Sequence, residues 1–240
     1  MTGEVNKRLE LFLADLDRVW PGGYTAVLFG SAARGQFIPD WSDINVLLVV
    51  DTIAPETLRA GRDALARWRE AAEALPLLFS GEEWRRSADA YPLEIAEMLT
   101  GYQLLRGQDP LKGMQVRPAD LRAALEREFR GKLMRLRQGY ALFAPESEDL
   151  TEFVRSSASS VLLLCRGLLI LTQQPIPTDA PATVMAAGRI AAFDVAAVNR
   201  IIAARADPGW RCAEADVRGY LLAVEAAARF VDHFQIGART

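Results

Sequence analysis

Along the first twenty positions the apolar residues recur at helical intervals. Val5, Leu9, Leu11, Phe12, Leu16 and Val19 share one side of a predicted amphipathic helix, which Pro21-Gly22-Gly23 would stop and turn. Two short β-prone runs follow. Tyr24 to Phe29 is bounded by that turn and by Gly30, and Ile44 to Val50 lies between Ser42-Asp43 and Asp51; both are apolar enough to be buried strands of one sheet. Pro55 to Ala74 reads as a helix with Leu58, Leu65 and Trp68 on its apolar side and a proline in its first turn, where proline is tolerated. Leu75 to Phe79 predicts a third strand and Glu82 to Arg86 a polar helical turn. Tyr91 to Met98 fits either a further strand or the start of a helix running to Leu105.

Past Gly107-Gln108-Asp109-Pro110 the pattern changes. From Pro118 every long segment has helical periodicity, over roughly 118–141, 147–173, 180–191, 194–206 and 211–235, with Pro175, Pro177, Pro181 and Pro208 between them. In the last of these, Val217, Tyr220, Leu221, Val224, Ala228 and Val231 fall on one helix face. The expected fold class is therefore α+β: a small mixed β-sheet domain over residues 1–114, then an all-α helical bundle domain over 115–240.

Composition narrows the function classes more than it names one. The chain's 240 residues are 50% hydrophobic and 25% charged, as in folded globular proteins, which excludes disorder and fibrous repeats. With 28 Lys and Arg against 31 Asp and Glu the net charge is −3, so no global field draws nucleic acid or an anionic membrane, and neither is expected as a partner. Cys165 and Cys212 are the only cysteines and His233 the only histidine, too few for a disulfide framework or a Cys/His zinc cluster; His233 is expected half-buried on the last helix. The charged start (Glu4, Lys7, Arg8, Glu10) is unlike a signal peptide, and Val161 to Leu171, interrupted by Arg166 and Gly167, reads as a core helix rather than a membrane span. The expected location is cytoplasmic. Oligomeric state is left open.

The chemistry concentrates in two adjacent stretches. Phe29-Gly30-Ser31-Ala32-Ala33-Arg34-Gly35 has the order strand, Gly-Ser turn, short helix; such a turn lets backbone and hydroxyl donors approach a phosphate. It lacks the Gly-Lys-Ser/Thr ending of a Walker A loop. Trp41-Ser42-Asp43-Ile44-Asn45 then opens the second strand. Asp43 and Asn45 are two apart, so on an extended chain their side chains project from one face, as two oxygen ligands of a divalent cation must.

This pair of motifs resembles the nucleotidyltransferase superfamily built on the DNA polymerase β-like palm, whose signature is Gly-Ser, often Ala-Arg-Gly, then Ser-Asp-x-Asp. The resemblance is strong over 24–50, and the bacterial aminoglycoside and minimal nucleotidyltransferases also carry helical C-terminal halves. It implies binding of Mg²⁺ and an NTP, with ATP the leading nucleotide. Gly30, Ser31, Arg34 and Ser42 would be nucleotide-binding residues, Asp43 and Asn45 metal ligands, and Asp43 catalytic. The implied reaction moves a nucleoside monophosphate to a hydroxyl of a small-molecule or protein acceptor and leaves pyrophosphate.

Two departures from the family pattern keep an alternative open. Asn45 stands where the second metal-binding Asp belongs, so the site loses a negative charge that two closely spaced cations need. The third carboxylate, a metal ligand and catalytic residue in the family, has Glu94 as first choice and Glu97 as second; if Leu75 to Phe79 is its counterpart strand, Leu77 or Leu78 takes the position and no acid is there. The alternative is a catalytically degenerate palm that regulates by binding nucleotide or a partner. Between Arg117 and Arg137 seven basic residues face three acidic ones, which reads as a solvated helix face or as a source of one or two triphosphate contacts. Glu146, Glu148 and Asp149 similarly fit either an acceptor site or an ordinary helix start.

Overall fold

The computed structural model describes residues 3–37, 43–71 and 74–237. The chain divides into two compact units, 1–116 and 117–240.

The first unit is a sheet with helices on both faces. Helix α1 (Gly3–Val19) buries Val5, Leu9, Phe12, Leu13 and Leu16, while Leu11 lies on its exposed side. Strand β1 (Tyr24–Phe29) follows, then the short helix α2 (Gly30–Ala33) and strand β2 (Asn45–Val50). The Pro55 to Ala74 segment is two helices, α3 (Pro55–Ala60) and α4 (Arg62–Glu70), because the chain passes too close to Trp20 at Gly61: a Cβ there would meet the indole Cζ2 at 2.6 Å. Strand β3 (Leu77–Ser80) comes two residues later than its expected start and leads into α5 (Gly81–Arg85) through a capping box of Ser80 and Glu83.

The Tyr91 to Met98 segment resolves as helix. α6 (Pro92–Leu99) starts with its proline in the first turn and ends before Gly101, and strand β4 (Tyr102–Arg106), absent from both sequence readings, occupies what was expected as the helix's end. Pairing with β1, a tertiary effect, holds β4 in place.

The sheet order is β3-β2-β1-β4. β1 pairs antiparallel with β2, from Tyr24 opposite Val50 to Phe29 opposite Asn45, and antiparallel with β4; β2 and β3 are parallel, with Leu47 opposite Leu77. One face (Ala26, Leu28, Val46, Leu48, Val50) packs on α1 and α4, where Phe12 and Trp68 stack with centroids 4.3 Å apart. The other face (Val27, Leu47, with Phe29, Val49, Leu77 and Phe79) packs on Trp84 of α5 and Ile95 and Met98 of α6. Cover on both faces explains why these strands read as continuous apolar runs rather than alternating ones.

The second unit contains α7 (Pro118–Leu142), α8 (Glu148–Leu171), α9 (Ala180–Ala191), α10 (Ala196–Ala203), a 3-10 turn at Ala204–Ala206, and α11 (Glu214–His233). Its core joins Leu125, Phe129 and Leu136 of α7 to Val154, Val161 and Leu168 of α8 and Val217, Tyr220 and Val224 of α11. Gly139 sets the α7–α8 approach, since a Cβ there would fall 2.1 Å from the Phe153 ring. At the buried α8–α11 contact Ser157 donates its hydroxyl to the Val154 carbonyl at 2.7 Å, which leaves Tyr220 as donor to Ser157 at 3.0 Å. α8 has the length and apolar composition of a membrane span, yet 61% of its most apolar window is buried, as in a core helix.

Candidate functional site

The turn after β1 is built around one backbone conformation. Gly30 has φ +76°, in the left-handed region that side chains disfavour, and Gly35 closes the short segment with φ +73°. Between them the Gly35 N–H donates to the Ala32 carbonyl and the Gln36 N–H to the Ser31 carbonyl. Ser31 is half-buried in this turn.

Asn45 lies against that turn. The β1–β2 register puts it opposite Phe29, the residue preceding Gly30, and a Cβ on Gly30 would sit 2.8 Å from Asn45 Nδ2 and 3.7 Å from its Cγ. So the absence of a side chain at position 30 is what admits the Asn45 amide. Asp43, two residues earlier and exposed, precedes the strand. Ser42, expected to bind nucleotide, lies outside the described residues.

Arg34 turns toward the protein. Its Nη1 is 2.9 Å from Glu97 Oε1 in an ion pair whose side chains are 16% and 7% exposed, and its Nε donates to Gln36 Oε1 at 3.2 Å. The guanidinium that the motif suggested for nucleotide is thus engaged by Glu97, the second-choice third carboxylate. Two more groups hold the same segment: Gln103 Nε2 donates to the Ala33 carbonyl at 2.9 Å, and Gly101 leaves room for the Arg34 stem, which a Cβ would approach to 3.2 Å. Gln103 and Gly101 escaped the sequence reading because their role depends on β4, whose pairing no local pattern announces.

Glu94, the first-choice candidate for the third carboxylate, lies on a helix rather than on a strand. Glu94 sits half-buried in the first turn of α6. β3, the parallel neighbour of β2, carries Leu77-Leu78-Phe79-Ser80 and no acid, and the pairing puts Leu77 on the face shared by Asn45 and Leu47. Among the described residues no three His, Cys, Asp or Glu side chains converge on a metal position. Asp43 and Asn45 together supply one carboxylate and one amide, one negative charge fewer than two neighbouring cations need.

At and along α7, basic residues form ion pairs: Arg117, just before the helix, with Asp120 (2.6 Å), Arg122 with Glu126 (2.8 Å), Arg130 with Glu126 (3.0 Å) and Asp232 (2.9 Å), and Arg137 with Glu225 (3.1 Å). These pairs are those of a salt-bridged helix face. Burial, and then the charge of Arg135, push the Lys132 ammonium below its ordinary value. Glu148 and Asp149 occupy the first turn of α8, where Ser147 caps by accepting from the Leu150 N–H. His233 is exposed at the end of α11, not half-buried; its Nδ1 is 2.8 Å from the Arg229 carbonyl.

Residues 9–78, within the first unit, match the family model described as a nucleotidyltransferase domain. Among solved structures the chain is similar to the spectinomycin adenyltransferase AAD(9) from Enterococcus faecialis, crystallised with ATP and spectinomycin. The TM-score is 0.60 at 12% identity, over 95% of this chain and 99% of that one. No curated protein matches.

Proposed function

We propose that this chain binds a nucleoside triphosphate, ATP in the first instance, at the Gly30-Ser31 turn and transfers its nucleoside monophosphate to a hydroxyl of a small molecule. The observation that carries this reading is the turn itself: a left-handed Gly30 after a buried strand, with Asn45 brought against it by the β1–β2 register. The family match and the ATP-bound structural neighbour point the same way.

The roles divide among few residues. Gly30 and Ser31 hold phosphate oxygens, and Ser42 belongs to the same nucleotide-binding set. Arg34 supports the turn through Glu97. A Mg²⁺ ion would be held by Asp43, with the Asn45 amide beside it, and would neutralise charge on the phosphates. Glu94, in the first turn of α6, is the carboxylate to which this reading assigns the proton of the attacking hydroxyl, as the family resemblance implies. The protein acts as a soluble, cytoplasmic enzyme on a small-molecule acceptor.

A second reading, nucleotide binding without turnover, is favoured by one observation: the face that Asn45 shares with β3 carries Leu77 and Phe79 where an acid would serve transfer. Pyrophosphate release from each of the four NTPs, with and without a panel of hydroxylated acceptors, separates the readings in the wild type and in Asn45→Asp. Acceptor-dependent release by the wild type supports transfer. Release by Asn45→Asp alone rejects transfer for the natural chain and leaves binding.

A further inference from the structure

The carbonyls of the turn after β1 find their donors close by in the chain, up to Ala33. The Gly30 carbonyl accepts from the Arg34 N–H at 3.3 Å, the Ser31 carbonyl from the Gln36 N–H at 2.8 Å and the Ala32 carbonyl from the Gly35 N–H at 3.3 Å. The next carbonyl, of Ala33, accepts from a side chain of another element: Gln103 Nε2 on β4, at 2.9 Å and 70 positions away along the chain. Only the NH₂ end of an amide can donate to a carbonyl, so this bond itself sets which way the Gln103 amide points. The β1–β4 register puts Gln103 opposite Leu28, a residue of the sheet face that packs on α1 and α4, so a half-buried amide stands where that face is otherwise apolar. A polar group in such a place is tolerated through the hydrogen bond it makes.

We infer that Gln103 is a positioning residue of the nucleotide site: by holding the Ala33 carbonyl it fixes α2 against β4, and with α2 the orientation in which the Gly30-Ser31 turn meets phosphate. The inference rests on the proposed nucleotide site and deepens it. Gln103 acts through the turn and not by touching the nucleotide. The need for an anchor follows from the turn's construction. α2 has only four residues and leaves β1 through a glycine at φ +76°, the residue type that restricts backbone rotation least. The Arg34–Glu97 pair ties the residue after α2 to α6, and Gln103 ties the last residue of α2 to the sheet. Removing the Gln103 donor frees the second anchor and leaves the ion pair, the strand pairing and both sheet cores in place, so the loss falls on affinity for nucleotide and little on folding.

Isothermal titration of ATP with MgCl₂ into the full-length protein, in about 0.3 M NaCl to screen the charges that substitution introduces, tests this. Gln103→Met keeps the size of the side chain and removes the donor, and should bind ATP about tenfold more weakly than wild type. Gln103→Glu sets an acceptor against the Ala33 carbonyl and should bind at least as weakly as Gln103→Met. Gln103→Lys restores a donor and should stay within about threefold of wild type. A role in packing alone gives the opposite order, with Gln103→Met nearest to wild type and Gln103→Lys farthest from it. Urea unfolding checks that each variant is folded, and if Gln103→Met is not, Gln103→Lys against Gln103→Glu decides. Binding by Gln103→Met equal to wild type, or by Gln103→Lys as weak as by Gln103→Glu, would overturn the role of Gln103 and leave the nucleotide site standing. Folded wild type that binds no ATP would overturn the site itself and the inference with it.

Discussion

Arg34 and Glu97 form an ion pair of 2.9 Å that ties the segment after the Gly-Ser turn to helix α6. Both side chains are largely out of solvent, so the pair is one whose breaking leaves a buried charge uncompensated, and that cost exceeds what a surface pair contributes. Glu97→Ala should destabilise the first unit by about 3 kcal/mol in urea unfolding followed by tryptophan fluorescence. Arg34→Met with Glu97→Leu, which removes both charges, should recover part of that loss. Equal destabilisation by the single and double variants would show that the pair does not account for the effect.

In the second unit the close approach of α7 and α8 makes Gly139 intolerant of a side chain. Its Cβ would overlap the Phe153 ring, whose atoms come within 2.1 Å, so either the ring or the helix must move. Gly139→Ala should cost about 1–3 kcal/mol in thermal or urea unfolding despite the better helix propensity of alanine. Gly131, on the same helix with open space where its Cβ would go, is the control: Gly131→Ala should be neutral or stabilising. A milder effect at 139 than at 131 would contradict the packing described.

Burial pushes the Cys165 thiol up to about 12, and burial followed by the charge of Asp216 pushes Cys212 up to about 11. Raised values disfavour the thiolate, which is the reactive form, so reactivity appears only as pH approaches these values or as the fold opens. At pH 8 Ellman's reagent should label neither cysteine in the native protein over minutes and both in guanidinium. Rapid labelling of native Cys165 would contradict its complete burial.

What the sequence revealed and what it hid follow from the reach of each interaction. β1, β2 and the long helices of the second unit were legible because their apolar periodicity is local, and the Gly30-Ser31 and Asp43–Asn45 pair was legible because its residues are close in sequence. The break at Gly61 was not: it answers to Trp20, some forty positions away along the chain. β4 was hidden because Tyr102–Arg106 gains strand structure only from β1, and with it the bracing of the turn by Gly101 and Gln103 was hidden too. Glu94 and Glu97 both appeared as acids available to a metal; that Glu97 instead faces Arg34 is a relationship between α6 and the turn that spacing cannot express. The acids of α11 that pair with the basic run on α7, Asp232 and Glu225, lie about a hundred positions away, beyond the reach of any local pattern.

The central claim, that the Gly30 turn is a nucleotide site, is tested most directly by titrating ATP into wild type and Gly30→Ala in the same MgCl₂ buffer. The alanine both strains a backbone at φ +76° and places a methyl 2.8 Å from Asn45 Nδ2, so it closes the turn with little reach beyond it. Wild type should bind one ATP per chain, and Gly30→Ala should show at least about a tenfold loss of affinity with an unchanged circular dichroism spectrum. Equal binding by the two proteins, or no binding by the wild type, would contradict the account.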